Sequence, residues 1–175
     1  MAYNYKMANK GKGLEDMIIL QNQLYQNRGV ANVQKIPTPW QVIRDGKRII
    51  SAFPREKSTL DFRGTVYPRI PISFDAKECM EVKGLPLSYI KPHQIEYMRG
   101  AIRVKEITFI ICEIKPSMQR FVIDGITCIE YWDRWQMNKN KRGYNYIPVS
   151  AMKRIVNMDN QASIIDYLGV ALSNA

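Results

Sequence analysis

An alternation of apolar and polar residues predicts a β-strand near the middle of the chain. Residues 70–78 read IPISFDAKE, and every second position is apolar: Ile70, Ile72, Phe74 and Ala76. Because successive strand residues point to opposite faces of a sheet, Asp75 and Lys77 are predicted to share the other face. A carboxylate and an amine therefore lie side by side on a strand whose opposite face is buried.

The first half of the chain contains further periodic segments. Helical spacing of apolar residues predicts a helix that begins at Leu14 and ends near Gly29, and residues 31–36 predict a short strand. The dipeptide Asp45-Gly46 between β-prone flanks predicts a hairpin. A strand around residues 60–62 is expected to be followed by a turn at Gly64.

In the second half of the chain, the pattern predicts helices before and after a central strand. Residues 107–114, ITFIICEI, are apolar on both faces, which is typical of a strand covered on both sides. Helices are predicted over 91–104, over 126–136 and from Pro148 to about Met158, and a strand over 119–123. The order of elements predicts an α/β fold with a mixed central β-sheet flanked by helices. We expect one domain over residues 14–175, preceded by a flexible basic arm over residues 1–13.

Composition narrows the class of partner. A chain of 175 residues with 46% hydrophobic residues is long enough for a single domain with a real core. The 26 Lys and Arg residues exceed the 16 Asp and Glu residues, so the formal charge is +10. Such an excess favours a polyanion, with nucleic acid the first expectation and an anionic membrane surface the second.

Cysteine and histidine content excludes several kinds of chemistry. The three cysteines form no CxxC pair, and the single histidine is too little for a Ser-His-Asp triad or a His-rich metal site. No secretory signal and no membrane-spanning run is recognisable. We therefore expect a cytoplasmic protein that makes no contact with membrane, in which hydrolysis would depend on carboxylates and lysines.

The strand pair Asp75 and Lys77 gains significance from a second carboxylate. Alone, the two residues would be interpreted as an ordinary ion pair on a solvated strand. Asp61 lies fourteen residues upstream, near the end of a preceding strand, and a turn could bring it beside Asp75. Two carboxylates without histidine suit Mg²⁺, which would polarise a phosphodiester and activate water while lysine orients that water. The pattern favours a metal-dependent nuclease, with a purely structural role as the alternative.

Several short runs together resemble one known family. NKGKGLED, KIPTPWQVI, KSTLDFRG, ISFDAKE and KPHQIEYM occur in this order, and they resemble the RecU-type Holliday junction resolvases of the PD-(D/E)XK nuclease superfamily. The resemblance covers roughly residues 9–170, and the short chain would suit a phage-encoded version acting in the host cytoplasm. It implies a restriction-endonuclease-like core, a homodimer, dependence on Mg²⁺ with Mn²⁺ as a substitute and no small-molecule cofactor. Paired nicks in four-way DNA junctions are the implied activity.

The same resemblance assigns roles to individual residues. Asp61, Asp75 and Lys77 would form the core site, with Glu15 as a further acidic metal ligand and Gln94 as a polar helper. The family usually has glutamate where this chain has Asp75, and commonly has threonine where it has Leu60.

The residues around 40–57 correspond to the family's protruding hairpin stalk. Phe53 would act there as an apolar wedge or pack the base of the hairpin. The residues expected to contact DNA are Lys10, Lys12, Arg44, Lys47, Arg48, Phe53, Arg55, Lys57, Arg63, Lys139, Lys141 and Arg142.

Three functions remain open from the sequence. The first is a junction-resolving endonuclease. The second is another PD-(D/E)XK nuclease that acts on duplex DNA or on ends, and the third is a binder of branched DNA without catalysis. The presence of Asp61, Asp75 and Lys77 speaks against the third, because acidic groups facing a phosphate weaken binding unless a metal is held.

Overall fold

The protein is described by a computed structural model over residues 12–37, 40–54, 59–139, 141–156 and 164–173. Six strands form the main sheet, in the spatial order β1-β4-β5-β7-β8-β10. Their bounds are β1 Ala31–Lys35, β4 Phe62–Val66, β5 Ile70–Cys79, β7 Ile107–Ile114, β8 Gln119–Asp124 and β10 Lys153–Arg154.

The sheet is mixed. β5 and β7 are parallel, whereas β1 pairs antiparallel with β4 and β4 pairs antiparallel with β5. It follows that β1, β5 and β7 run in the same direction and finish at one end of the sheet. We call this the active-site end, because the candidate residues Asp75 and Lys77 lie in the part of β5 that finishes there.

One face of the sheet packs against two helices. α1, Lys12–Asn27, and the short C-terminal α4, Leu168–Ala171, cover a core that includes Leu14, Ile18 and Tyr167. On this face three phenylalanines form a row across neighbouring strands: Phe62, Phe74 and Phe109. Their ring centroids are 4.9 Å and 4.7 Å apart, and the rings are stacked. The row fixes the lateral positions of β4, β5 and β7.

The other face is covered by α2, Pro92–Arg103, and α3, Gly125–Met137. A small second sheet pairs β6, Gly84–Pro86, with β9, Tyr146–Pro148, beside these helices. The three thiols, Cys79, Cys112 and Cys128, are buried in this core and form no disulfide. Within the described residues, no helix has both the length and the apolar character needed to cross a membrane.

The predicted hairpin is present and projects from the domain. β2, Trp40–Asp45, pairs with β3, Arg48–Pro54, in a two-stranded sheet of its own. Residues 41–52 are exposed throughout, and Gly46 supplies the positive φ of 56° that the turn requires. The hairpin leaves the domain between Lys35 and Asp61, at the active-site end.

The predicted fold class is confirmed, since a mixed sheet of six strands lies between helices, an arrangement compatible with a restriction-endonuclease-like fold. The strand over 107–114 has the predicted bounds and is buried on both faces. α1 begins at Lys12, two residues before the predicted start, and Gly29 adopts a positive φ just after the helix ends. The arm proper, residues 1–11, lies outside the described residues.

Two predictions of local structure are wrong. Gly64 lies inside β4, paired with Val33 and Ile72, rather than in a turn. Glycine is required there because a Cβ would come within 2.2 Å of the Asn32 carbonyl oxygen on β1. The predicted helix from Pro148 to Met158 is wrong over its described residues, 148–156, where only one turn of 3-10 helix forms, at Val149–Ala151. Pro148 instead ends β9, and Lys153–Arg154 pairs with β8 to complete the sheet edge.

Candidate active site

Strand register brings Asp61 and Asp75 together. Phe62 is paired with Phe74 across β4 and β5, so the preceding residue, Asp61, lies opposite Asp75. The two carboxyl groups are close enough for a hydrogen bond between them. Such a bond requires a shared proton, since two ionised carboxylates repel.

Asp75 is completely buried, and both of its oxygens have close neighbours. Lys77 Nζ lies 2.5 Å from Oδ2, and Gln94 Nε2 donates to Oδ1 at 3.0 Å. Burial is the largest effect and raises the pKa of the Asp75 carboxyl, the Lys77 ammonium lowers it and the neighbouring Asp61 raises it; together they give a pKa of about 7. Without a cation in addition to Lys77, the Asp75 carboxyl is therefore partly protonated near neutral pH.

Gln94 connects this site to the start of α2. Its side-chain oxygen accepts a hydrogen bond from the Lys91 backbone N–H at 2.9 Å, and Pro92 occupies the first helical turn. The same amide therefore caps the helix through its oxygen and contacts Asp75 through its nitrogen. This double role fixes the position of Asp75 Oδ1 relative to α2.

The donor set fits a hard divalent cation. Mg²⁺ prefers oxygen ligands and is commonly bound by one or two carboxylates, waters and substrate phosphates. Asp61 and Asp75 supply two adjacent carboxylates, and a dication would replace the proton that they share. Among the described residues no group of three or more His, Cys, Asp or Glu side chains is already arranged to hold a metal, so a ligand beyond this pair would be water, substrate or a side chain that first moves.

Comparison with known proteins places the chain in a family. Residues 9–172 match the profile described as Recombination protein U. The chain is 33% identical over 131 residues to the Holliday junction resolvase RecU of Streptococcus sanguinis, covering 71% of this chain and 65% of that protein. It is 30% identical over 153 residues to the Holliday junction resolvase RecU of Streptococcus uberis, covering 80% and 75%.

The chain belongs to the Recombination protein U family. The match to the Streptococcus sanguinis relative spans a little under two thirds of that protein's length. The RecU family usually has glutamate at the position of Asp75, and the shorter aspartate here still reaches both Lys77 and Gln94. Leu60, at the position where the family commonly has threonine, is buried in the core beneath α2 and α3.

Glu15 lies near the site but binds a different partner in this RecU family member. Its Oε2 is 2.5 Å from Lys35 Nζ, at the end of β1. The next residue, Ile36, donates its backbone N–H to the Asp61 carbonyl oxygen at 2.8 Å. Glu15 therefore lies at the end of β1, the strand that neighbours Asp61. Its role as a metal ligand stays a prediction, and it requires the ion pair with Lys35 to open.

The N-terminus of α1 is tied to the strand that carries the catalytic candidates. The Leu14 backbone N–H donates to Glu78 Oε1 at 3.1 Å, and Glu78 follows Lys77 on β5. Glu113, completely buried on the adjacent strand, accepts hydrogen bonds from Lys115 at 2.8 Å and Arg120 at 2.7 Å. Lys115 Nζ also lies 3.5 Å from Glu78 Oε1, so this cluster of charges, which sequence spacing did not reveal, connects the start of α1 with β5 and β7.

The predicted DNA-contacting residues divide into three positions. Exposed Arg44, Lys47 and Arg48 lie on the hairpin. Lys139, Lys141 and Arg142 lie in the loop between α3 and β9. β8 ends at the far end of the sheet, and α3 starts there and runs antiparallel to α2. The loop after α3 therefore lies back at the active-site end. Arg63 lies on β4, on the same face as Asp61. Lys10, Arg55 and Lys57, and the side chains of Lys12 and Phe53, lie outside the described residues.

Sequence reasoning missed two residues next to Arg63. Glu106 is buried, lies 3.4 Å from Arg63 Nη2 through its Oε2, and accepts a hydrogen bond from the Tyr97 hydroxyl at 3.0 Å. Arg63 and Glu106 are separated by 43 residues in sequence. No local spacing could therefore have paired them, and the only signal is an acidic residue directly before the apolar run 107–114.

Proposed function

We propose that this chain is a divalent-metal-dependent endonuclease that resolves four-way DNA junctions by paired symmetric nicks. The observation that carries the proposal is the group formed by Asp61, the buried Asp75 and Lys77 on a chain of the RecU family, whose relatives bear the name Holliday junction resolvase. The net charge of +10 supports a nucleic-acid substrate.

The proposed chemistry uses each residue in a distinct role. Asp61 and Asp75 would hold Mg²⁺, with Mn²⁺ as a possible substitute, and the bound ion would polarise the scissile phosphate and lower the pKa of an attacking water. Lys77 would orient that water or neutralise charge that develops on the phosphate. Gln94 keeps Asp75 in place, and Glu15 would join the ligand set once released from Lys35.

Substrate binding is proposed to involve the basic residues around the active-site end. The arm over residues 1–13 would follow the phosphate backbone beside a single nuclease domain over 14–175, and the hairpin over 40–57 would enter the junction centre with Phe53 as an apolar wedge. The basic contacts would be Lys10, Lys12, Arg44, Lys47, Arg48, Arg55, Lys57, Arg63, Lys139, Lys141 and Arg142.

A homodimer is the proposed active species, and the reducing cytoplasm its proposed location. A four-way junction offers two equivalent strands, whereas each chain supplies one Asp61, Asp75 and Lys77 set. Two-fold pairing is the commonest closed symmetry of soluble assemblies and would place two sites on one junction.

A comparison of substrates tests the proposal. The chain is incubated with a synthetic four-way junction and with a linear duplex of the same sequence, with and without Mg²⁺. We expect paired nicks in the junction only when metal is present. Equal cutting of the duplex would instead support the general nuclease, and junction binding without cutting under any divalent ion would support the non-catalytic binder.

A further inference from the structure

Among the described residues, no helix covers a strip of the main sheet beside the candidate active site. α2 and α3 cover β5, β7 and β8 on this face, whereas the neighbouring side chains on β1 and β4 are exposed. A groove of about 420 Å³ runs along this strip and includes Asn32, Gln34, Arg63 and Thr65 in its walls. We call it the strand groove.

The strand groove leads directly to the carboxylate pair. Ile36 lines the groove, and its backbone N–H is hydrogen-bonded to the Asp61 carbonyl oxygen at 2.8 Å. Of the described residues that line the groove, none is Asp or Glu, and the polar ones offer amide, hydroxyl and guanidinium donors. This lining suits an anionic strand rather than a basic peptide.

The buried Glu106 holds the Arg63 side chain in the strand groove. Its side chain is 60% exposed, whereas the Glu106 side chain that it contacts is only 5% exposed. Tyr97, on α2, donates to the other carboxylate oxygen of Glu106 at 3.0 Å. A buried carboxylate is costly unless it is paired and hydrogen-bonded, so Glu106 strongly favours one placement of the guanidinium. The contact uses Nη2 among five N–H donors, which leaves donors available toward the groove.

The Cα spacing along β4 is close to the distance between successive phosphates of a DNA strand. Arg63 and Asp61 are two residues apart and point to the same face, so their Cα atoms are separated by about 7 Å. Neighbouring phosphates on one strand are separated by a similar distance. A strand whose scissile phosphate lies at Asp61 and Asp75 would therefore place the next phosphate at Arg63.

We infer that Arg63 binds the phosphate adjacent to the scissile one, with Glu106 and Tyr97 as positioning residues and the strand groove as the path of the cut strand. This inference rests on the proposed function, because it takes the scissile phosphate to lie at Asp61 and Asp75. Arg63 supplies a planar fork that matches a phosphate, and Asn32 and Gln34 supply neutral donors farther along the strip.

Neutral phosphates placed in the substrate test this inference. After the cleavage position is mapped on an unmodified four-way junction, a single methylphosphonate is introduced one linkage to either side of it. We expect one of the two substitutions to slow cleavage by the wild-type chain about 10-fold or more, the scale of one lost charge-assisted hydrogen bond. Arg63→Gln should cut the unmodified junction slowly and lose no further rate on that modified junction.

The positioning residues and a matched control complete the design. Glu106→Gln and Tyr97→Phe should each reduce the rate difference between unmodified and modified junctions, because the guanidinium is no longer fixed. Arg69→Gln, an exposed arginine in the turn at the other end of β4, should retain the wild-type difference. Thermal unfolding of each variant shows whether it is folded, and if Glu106→Gln is not, Tyr97→Phe decides the positioning role.

The outcomes separate this inference from the proposed function. A wild-type chain that does not cut the unmodified junction contradicts the proposed function and this inference together. Two outcomes overturn the inference alone. In the first, the wild-type chain cuts the unmodified junction and both methylphosphonate junctions at the same rate. In the second, the methylphosphonate slows Arg63→Gln as much as it slows wild type. Full wild-type sensitivity in a folded Tyr97→Phe variant would remove the positioning role.

Discussion

At the scale of single residues, the charge of Asp75 couples the stability of the chain to pH. In the folded, metal-free chain, burial raises the pKa of this carboxyl from 3.8 to about 7. Between these values the unfolded chain releases the proton more readily than the folded one. The buried carboxyl therefore lowers the free energy of unfolding progressively as the pH rises through this window, and the loss is complete above about pH 7.

Asp75→Asn should remove this penalty. In chelator, we expect the variant to gain melting temperature relative to wild type at pH 8 and to gain less at pH 5, because at pH 5 the wild-type carboxyl is already largely protonated. Added Mg²⁺ should stabilise wild type and leave the variant unchanged, because only wild type retains both carboxylates. A difference in melting temperature that is the same at both pH values would contradict the buried, proton-sharing state of Asp75.

The sequence revealed the catalytic candidates better than their surroundings. Asp75 and Lys77 could be assigned to one face because the pleat of a strand has a period of two. Asp61 could be added because a turn links its strand to the next. Glu106 and Glu113 could not be assigned roles, because each is held by partners that only the folded sheet and helices bring near.

At the scale of secondary-structure elements, the phenylalanine row supports the active site from the opposite face of the sheet. Phe62 and Phe74 each adjoin one of the two candidate metal ligands in sequence, and their stacked rings fix β4 against β5. Phe109 extends the row to β7. The register that places Asp61 opposite Asp75 therefore depends on apolar packing under α1.

Phe74→Ala should cost about 3–5 kcal/mol of stability, the usual range for truncating a buried phenylalanine. Denaturant unfolding measures this change. Ile50→Ala is the matched control, because Ile50 is 63% exposed on the hairpin, and its change should stay within about 0.5 kcal/mol. A loss at Phe74 no larger than that at Ile50 would show that the row does not support the sheet.

The hairpin should matter for function and little for stability. Because its described residues are exposed and its strands pair with each other, deletion of the tip over 45–47 should leave the melting temperature of the domain nearly unchanged. Junction cleavage should fall strongly if the hairpin enters the junction centre. A parallel loss of melting temperature and activity would favour a packing role for the hairpin.

The two wrong predictions concern elements whose form is decided by distant pairing. Gly64 suggested a turn, yet the glycine is needed because β1 passes too close for a side chain. The segment after Pro148 has helix-forming residues, but β8 has a free edge that Lys153 and Arg154 pair with. Local propensity cannot predict either pairing, because the partner strands, β1 for Gly64 and β8 for Lys153 and Arg154, are distant in the sequence.

At the scale of the whole molecule, positive charge and active-site residues are directed toward one end. By strand direction and chain order, the hairpin, the loop with Lys139, Lys141 and Arg142, and the start of α2 all follow or precede strands at the end where β1, β5 and β7 finish. A single polyanionic substrate lying across this end could reach all of them. The proposed homodimer would present two such ends to one junction.

A mixture of parent chains with Asp75→Asn chains tests the dimer. Heterodimers should carry one competent site, so they should nick one strand of a supercoiled cruciform plasmid and seldom complete resolution. The expected product is nicked circles in place of linear DNA, measured by gel electrophoresis. A chain that sediments as a monomer with junction DNA and still linearises the plasmid would exclude the dimer.

The central claim is that Asp61 and the buried Asp75 bind a divalent ion that drives cleavage. The most direct measurement compares junction cleavage rates in Mg²⁺ for wild type, Asp75→Asn and Asp75→Glu, the last of which restores the residue usual in the RecU family. We expect Asp75→Asn to lose about 10²-fold or more and still bind the junction, because a metal ligand is lost. Asp75→Glu should retain measurable cleavage. Cleavage by Asp75→Asn within a few-fold of wild type would contradict the claim.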